Sequence, residues 1–160
     1  MATTAQATDL VIERIFDAPR ALVWRAWTDA KHFQQWFGPK VFTVPNCTID
    51  FREGGKYLFA FMDPEGKKIW VTGTYETIRP MEFVEYTDCF ADEQGNMVGP
   101  AHYGFGDAMP TIMRVSLTFE DLGAKTKMTL RHGEFQSAEM VEMTKASWNE
   151  SFEKLDVSLR

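Results

Sequence analysis

The stretch "SAEMVEMTKASWNESFEKLDVSL", residues 137–159, decides the fold because no glycine or proline interrupts it. Its large apolar residues recur at spacings of seven, four and three, which is typical of one stripe on a helix. They are Val141, Trp148, Phe152, Leu155 and Leu159. At roughly 1.5 Å per residue such a helix is about 30 Å long, enough to cross a sheet.

The segments before this helix alternate apolar and polar residues with a period of two, as half-buried strands do. The clearest is "TIMRVSLTFE" at 111–120, in which Met113, Val115, Leu117 and Phe119 share one face. Comparable alternation is found at 47–51, 52–62, 68–78, 82–90 and 126–135. Each of these strands therefore has one apolar face that the last helix can cover.

An earlier segment, "DLVIERIFDAP" at 9–19, also indicates a strand, but its buried face stays open. Val11 and Ile15 on one side compete with the apolar residues on the other, which are Leu10, Ile12 and Phe16.

The next stretch, "ALVWRAWTDAKHFQQWFGPK" at 21–40, predicts two short helices that end at Gly38 and Pro39. Three tryptophans and two phenylalanines crowd this span, in a chain whose aromatic content of 14% is high. They either fill an ordinary core or form the wall of a space for a ligand.

The order of elements is a strand, two short helices, about six antiparallel strands and one long helix. This order predicts a single α+β domain over residues 1–160, with 1–8 expected to be flexible. In it, a curved antiparallel sheet of about seven strands wraps around the C-terminal helix. The segment 91–110 has no period and contains four glycines and two prolines, so it is expected to be a functional or mobile loop.

Composition excludes several classes of function. The net charge is −6 and basic residues form no cluster, so we expect no nucleic-acid partner. The N-terminal residues lack a signal-peptide pattern and no run of 18 apolar residues occurs, which favours a cytoplasmic protein without membrane insertion. Neither Cys47 nor Cys89 lies in a metal or redox motif, so no metal and no cofactor are expected.

Together these segments resemble the helix-grip domains of the START-like (SRPBCC) superfamily over roughly residues 9–159. The resemblance is closest to the bacterial branch named after the C-terminal domain of the activator of the Hsp90 ATPase. Its carriers are "IFDAPRALVWRAWTD" (15–29), "HFQQWFGP" (32–39), "DFREGGKYLF" (50–59), "DPEGKK" (63–68), "VTGTYETIRPMEFVEYTD" (71–88), "TIMRVSLTFED" (111–121) and "SWNESFEKLDVSL" (147–159).

The resemblance implies a cavity between the sheet and the C-terminal helix. It also implies several functions on one scaffold: hydrophobic-ligand carriers, polyketide cyclases, co-chaperone modules and stress-response proteins. A fold shared by so many functions does not choose among them. The eukaryotic activator has a second domain for which 160 residues leave no room, so stimulation of Hsp90 is not expected.

If the cavity exists, strand parity and helix phase indicate which side chains surround it. The residues expected to line it are Trp36, Phe59, Phe61, Tyr75, Leu117, Leu130, Trp148 and Phe152. Inward-facing polar groups at its end are candidates for acid–base catalysis or ligand orientation: Tyr86, Asp88 and His132.

Three hypotheses follow. The first is a domain that binds an apolar or aromatic small molecule. The second is a co-chaperone-like module with a filled core and a protein partner, and the third is an enzyme of the cyclase or dehydratase type; we favour a non-enzymatic function. The open edges of a sheet leave both a monomer and a homodimer possible.

Overall fold

A computed structural model describes residues 9–105, 110–133, 135 and 137–160. The strands are β1 (Leu10–Phe16), β2 (Thr43–Ile49), β3 (Lys56–Met62), β4 (Lys68–Arg79), β5 (Phe83–Ala91), β6 (Met113–Asp121) and β7 (Thr126–Gly133). The helices are α1 (Arg20–Thr28), α2 (Ala30–Trp36) and α3 (Ala138–Ser158), with a 3-10 turn at Pro100–Tyr103. The expected flexibility of residues 1–8 lies outside the described residues.

The seven strands form one antiparallel sheet in the order β1-β7-β6-β5-β4-β3-β2. Strands β2 to β7 follow one another as neighbours, and β1 closes the order by pairing with β7. This arrangement confirms the α+β helix-grip fold, with α1 and α2 inserted after β1 and α3 at the end of the chain.

Pairing with β7 settles the face of β1 that the sequence left open. Leu10, Ile12 and Phe16 are buried, whereas Val11 and Ile15 are 39% and 56% exposed. Leu10 lies opposite His132, whose side chain is also buried. The buried set therefore continues the inner face of β7 across to β1.

Helix α3 lies against the inner face of the sheet, as its apolar stripe predicted. Ser137 caps its N-terminus by accepting a hydrogen bond from the backbone N–H of Met140 at 3.2 Å. All five stripe residues are buried. Phe152 and Leu155 are completely buried, and the ring of Phe152 meets Phe16 edge-on at 6.1 Å and Trp27 at 6.2 Å.

The aromatic residues of α1 and α2 mostly belong to the core. Trp24 packs edge-on against Phe119 at 5.2 Å, and the indole N–H of Trp27 points at the sulfur of Met128 at 3.2 Å. Trp36 is fully buried and donates its indole N–H to the carbonyl of Ala26 at 3.0 Å. These indole N–H groups thus have partners inside the protein, as buried polar groups require.

Strand β2 differs from the expected segment 47–51, because it begins at Thr43 and ends at Ile49. It includes Pro45, which an edge strand tolerates because one row of its backbone groups has no strand partner. The pairing with β3 shifts between Thr43 and Asn46, next to this proline.

The described part of the long loop is folded against β5. The carboxylate of Asp92 accepts backbone N–H groups from Gln94 and Asn96, which closes a turn. Further on, Phe105 stacks on Phe90 with the ring centres 5.2 Å apart. Residues 106–109 lie outside the described residues.

We predict that Phe152→Ala lowers the free energy of unfolding by about 3–5 kcal/mol, because it leaves a cavity among packed rings. The matched control is Val157→Ala on the exposed side of the same helix, where Val157 is 62% exposed. It should change stability by less than about 0.5 kcal/mol in a urea melt. Equal effects of the two substitutions would contradict the assigned packing of α3.

Candidate functional site

A cavity of about 450 Å³ lies between the sheet and the N-terminal half of α3. We call it the wide cavity. Aromatic and aliphatic side chains form its sheet side, among them Phe59, Phe61 and Val71. The helix contributes Met140, Met143, Thr144, Ser147, Trp148 and Ser151. Its volume lies within the range of about 300–1,000 Å³ that is usual for small-molecule sites.

A second space of about 40 Å³, the narrow pocket, borders the wide cavity. The two share four lining residues: Phe37, Phe59, Asp88 and Trp148. The narrow pocket is also lined by the phenol side chains of Tyr57, Tyr75 and Tyr86. It has room for a few water molecules at most, since one water needs about 10–15 Å³ by this measure.

The hydroxyl of Tyr57 depends on a glycine in the neighbouring strand. It donates a hydrogen bond to the backbone carbonyl of Thr87 at 2.8 Å, across β4. A Cβ atom at Gly73 would collide with both this carbonyl and the hydroxyl of Tyr57. Burial raises the pKa of Tyr57 well above its ordinary value, so its phenol stays protonated.

Asp88, His132 and Trp148 meet where the wide cavity borders the narrow pocket. The indole N–H of Trp148 donates to Nδ1 of His132 at 3.1 Å. Because indole nitrogen only donates, Nδ1 must carry the lone pair and Nε2 the proton. Nε2 lies 3.5 Å from Oδ2 of Asp88 but forms no hydrogen bond, although it is fully buried.

Burial shifts the pKa values of this pair in opposite directions. It lowers the pKa of His132 to about 4 and raises that of Asp88 to about 6, the latter opposed by the hydroxyl of Tyr57. Asp88 is surrounded by protein, yet 27% of its side-chain surface is accessible because it borders the cavity. At pH 7 the pair is therefore a carboxylate beside a neutral imidazole and not an ion pair.

This arrangement restricts what His132 can do chemically. A general base needs a nitrogen with a free lone pair within reach of the substrate. Nδ1 is occupied by Trp148 and Nε2 carries a proton, so His132 accepts a proton only if the bond to Trp148 breaks. Asp88 is the one member of the group that is not buried: its side chain is 27% exposed, against 6% for His132.

Five of the eight residues expected to line the cavity border one of the two spaces. Phe59 and Trp148 border both, Phe61 the wide cavity, and Tyr75 and Leu117 the narrow pocket. The structure places Trp36, Leu130 and Phe152 in the core, where each is fully buried. They face inward as expected, but packed side chains and not open space surround them.

Many further residues line the two spaces, and two of them, Tyr57 and Phe37, lie next to Phe59. Tyr57 shares the inner face of β3 with Phe59, so strand parity alone could have identified it. Phe37 follows α2, and its ring packs against Trp148 at 5.6 Å and Phe59 at 4.7 Å. The sequence placed Phe37 in the aromatic cluster of 21–40, for which a core and a ligand wall both stayed open; in the structure it lies just beyond the end of α2.

Lys154 holds the segment that contains Phe37 against α3. Its ammonium group donates to the carbonyls of Pro39 at 3.1 Å and Phe42 at 3.0 Å, and lies 3.5 Å from that of Phe37. Burial lowers the pKa of Lys154 from its ordinary value. This cross-link fixes one wall of the wide cavity.

The described residues contain no group of three or more histidine, cysteine or acidic side chains placed to hold a metal ion. No described helix is both long enough and apolar enough to span a membrane.

The sequence model of the family described as "Activator of Hsp90 ATPase homolog 1-like protein" matches residues 17–160. Among solved structures, a protein from Arthrobacter aurescens is 27% identical with a TM-score of 0.77, covering 97% of this chain and 87% of its own. An AHSA1 protein from Silicibacter pomeroyi is 24% identical with a TM-score of 0.76, covering 94% and 96%. CalU16 from Micromonospora echinospora is 20% identical with a TM-score of 0.66, covering 94% and 75%. A comparison with curated proteins found no match.

The pair Asp88–His132 yields a pH prediction. His132 has a folded pKa of about 4, below its ordinary 6.5, so the unfolded chain alone takes up its proton between these values and stability falls on acidification. Asp88 has a folded pKa of about 6, above its ordinary 3.8, so the folded chain takes up its proton first and stability rises on acidification. The two effects oppose each other between pH 6 and 4.

Asp88→Asn removes the stabilisation that protonation of Asp88 gives on acidification and leaves the effect of His132 in place. We predict that its free energy of unfolding drops on acidification from pH 6.5 to 4 by on the order of 2 kcal/mol more than that of the wild type. Urea melts at a series of pH values measure this difference. Glu85→Gln, on the opposite face of the same strand, should retain the wild-type dependence of stability on pH. If Asp88→Asn retains it as well, the raised pKa assigned to Asp88 is wrong.

A second prediction concerns the tautomer of His132. Nitrogen-detected NMR at pH 7 should show Nε2 protonated and Nδ1 unprotonated, because Trp148 donates to Nδ1. In Trp148→Phe, which keeps an aromatic ring but lacks the donor, this preference should weaken. A wild-type spectrum with the proton on Nδ1 would contradict the hydrogen bond.

Proposed function

We propose, from the premise that the chain belongs to the family of Activator of Hsp90 ATPase homolog 1-like proteins, that its wide cavity binds one apolar or aromatic small molecule. The observation that carries this proposal is a space of about 450 Å³ with predominantly apolar walls between the sheet and α3, open to solvent at one side. Burying apolar ligand surface there gains roughly 25 cal/mol per Å² before the cost of ordering the ligand.

The chemistry of the walls supports an aromatic or aliphatic ligand. Phe59 and Trp148 offer ring surfaces that stack on or pack edge-on against a flat molecule. Met113, Met140 and Met143 add flexible thioethers, which adjust to ligands of different shape. Asp88 and His132 supply the few polar groups that small-molecule sites use to fix orientation.

The rim of the cavity offers an entrance. Met143 on α3 is 62% exposed and Phe105 in the loop after β5 is 43% exposed, and both also border the wide cavity. Apolar side chains that are exposed around an opening are typical of ligand grooves. A ligand entering here would pass between the helix and the loop.

The size of the cavity favours this function over the co-chaperone-like alternative. A co-chaperone-like module would use an outer surface and has no need of an internal space of this volume. An enzyme of the cyclase type would use the same space, but His132 cannot serve as its base while Trp148 donates to it, so Asp88 would have to act alone in that role.

The test is to fill the cavity from the helix. Ser147→Phe places a large ring in the wide cavity, whereas Ala146→Phe places the same ring on the exposed side of α3. The probe is N-phenyl-1-naphthylamine, which is uncharged and fluoresces in apolar surroundings. We predict that Ser147→Phe weakens its binding at least tenfold and Ala146→Phe less than twofold, as measured by fluorescence titration.

Both variants should first be shown to unfold cooperatively, so that a loss of binding reports the cavity and not the fold. Equal affinities of the wild type and Ser147→Phe would mean that the probe binds elsewhere. Absence of binding to the wild type would refute the proposed function.

A further inference from the structure

The side chains that line the wide cavity and the narrow pocket are nearly all uncharged. Among the described residues that line them, Asp88 is the one with a charged side chain at pH 7, and no lysine or arginine faces either space. The other polar side-chain groups are hydroxyls, one thiol, the neutral ring of His132 and the indole N–H groups of Trp27 and Trp148, which already have partners. A bound molecule therefore meets one carboxylate in otherwise uncharged surroundings.

The carboxylate of Asp88 has unfilled capacity to accept hydrogen bonds. A carboxylate offers about four lone-pair positions. Oδ1 lies 3.4 Å from the hydroxyl of Tyr57, but that hydroxyl has a shorter bond, at 2.8 Å, to the carbonyl of Thr87. Oδ2 lies 3.5 Å from Nε2 of His132 without a hydrogen bond between them. A buried charge in this condition gains most from an added donor.

We propose that the ligand is an apolar molecule carrying a hydroxyl group, that this hydroxyl donates to Asp88, and that the cavity rejects carboxylates such as fatty acids. This inference rests on the proposed function and specifies its ligand. The hydroxyl lies where the two spaces meet, and the apolar body lies in the wide cavity against Phe59 and Trp148, which border both spaces beside Asp88.

The same geometry disfavours the other polar groups that a ligand could carry. A carboxylate would lie against Asp88 with no described cation in the walls to compensate. A carbonyl only accepts, so it would give Asp88 no donor and would place a second acceptor beside the carboxylate; the hydroxyls of Tyr75 and Tyr86 in the narrow pocket are the donors left to it. An ammonium group would donate, but it loses far more hydration on entering apolar surroundings than a neutral hydroxyl does.

The test compares naphthalene derivatives of similar size at pH 7.5. Calorimetry should show that the wild type binds 2-naphthol at least tenfold more tightly than 2-methoxynaphthalene, 2-acetonaphthone or 2-naphthoate. In Asp88→Leu this preference should fall to less than twofold between the first two compounds. Glu85→Gln, on the opposite face of β5, should keep the wild-type preference.

The outcomes separate this inference from the proposed function. If the wild type binds N-phenyl-1-naphthylamine in the cavity but binds the four naphthalene compounds equally, the ligand proposal is wrong and the proposed function stands. Tighter binding of 2-naphthoate, 2-acetonaphthone or the cation of 2-naphthylmethylamine would also overturn it. If neither the probe nor any naphthalene compound binds, both fail together. The relative affinities of the wild type for the naphthalene compounds test the ligand proposal even if Asp88→Leu does not fold.

Discussion

The structure depends on how one helix meets one sheet. In its C-terminal half, α3 packs tightly: Phe152 and Leu155 are completely buried, and the ring of Phe152 is wedged between β1 and α1. In its N-terminal half, the side chains of Met140 and Ser147 border open space instead. Trp148 lies between the tightly packed half of α3 and the half that borders open space. Its ring stacks on Phe152 and also borders both the wide cavity and the narrow pocket. The tight half fixes the helix, and this lets the other half stand away from the sheet without collapsing onto it.

The polar contacts around Trp148 maintain this separation. Its indole N–H bonds to His132 on β7, and Lys154, nearly two turns further along α3, bonds to the carbonyls of Pro39 and Phe42 in the segment after α2. A hydrogen bond has a narrow range of lengths, so these contacts fix the distance between α3 and its neighbours. Apolar packing sets no such distance and would favour closing the space. The neutral state of His132 belongs to this scheme, because a protonated ring could no longer accept from Trp148.

Much of the fold followed from periodicity, but the boundary between core and cavity did not. Strand parity identified the inner faces of β6 and β7, and helix phase identified the buried stripe of α3. Parity treats Phe59 and Leu130 alike, since both face inward; one borders a cavity and the other is packed in the core. The difference is the local distance between helix and sheet, which depends on the sizes of side chains on several elements together. Similarly, the face of β1 was ambiguous because apolar residues occur at both parities, and pairing with β7 was needed to decide it.

Asp88 and His132 lower the stability of the folded protein. A desolvated carboxylate and a buried ring nitrogen without a hydrogen bond both favour the unfolded chain at neutral pH, where water satisfies them. Packing elsewhere must offset this cost, and an apolar pair at these positions would remove it. Polar groups that weaken a fold and face a cavity are typical of sites shaped by what they bind. A ligand hydroxyl that donates to Asp88 would supply the missing hydrogen bond at the moment of binding, so the deficit in the free protein would become affinity for the ligand.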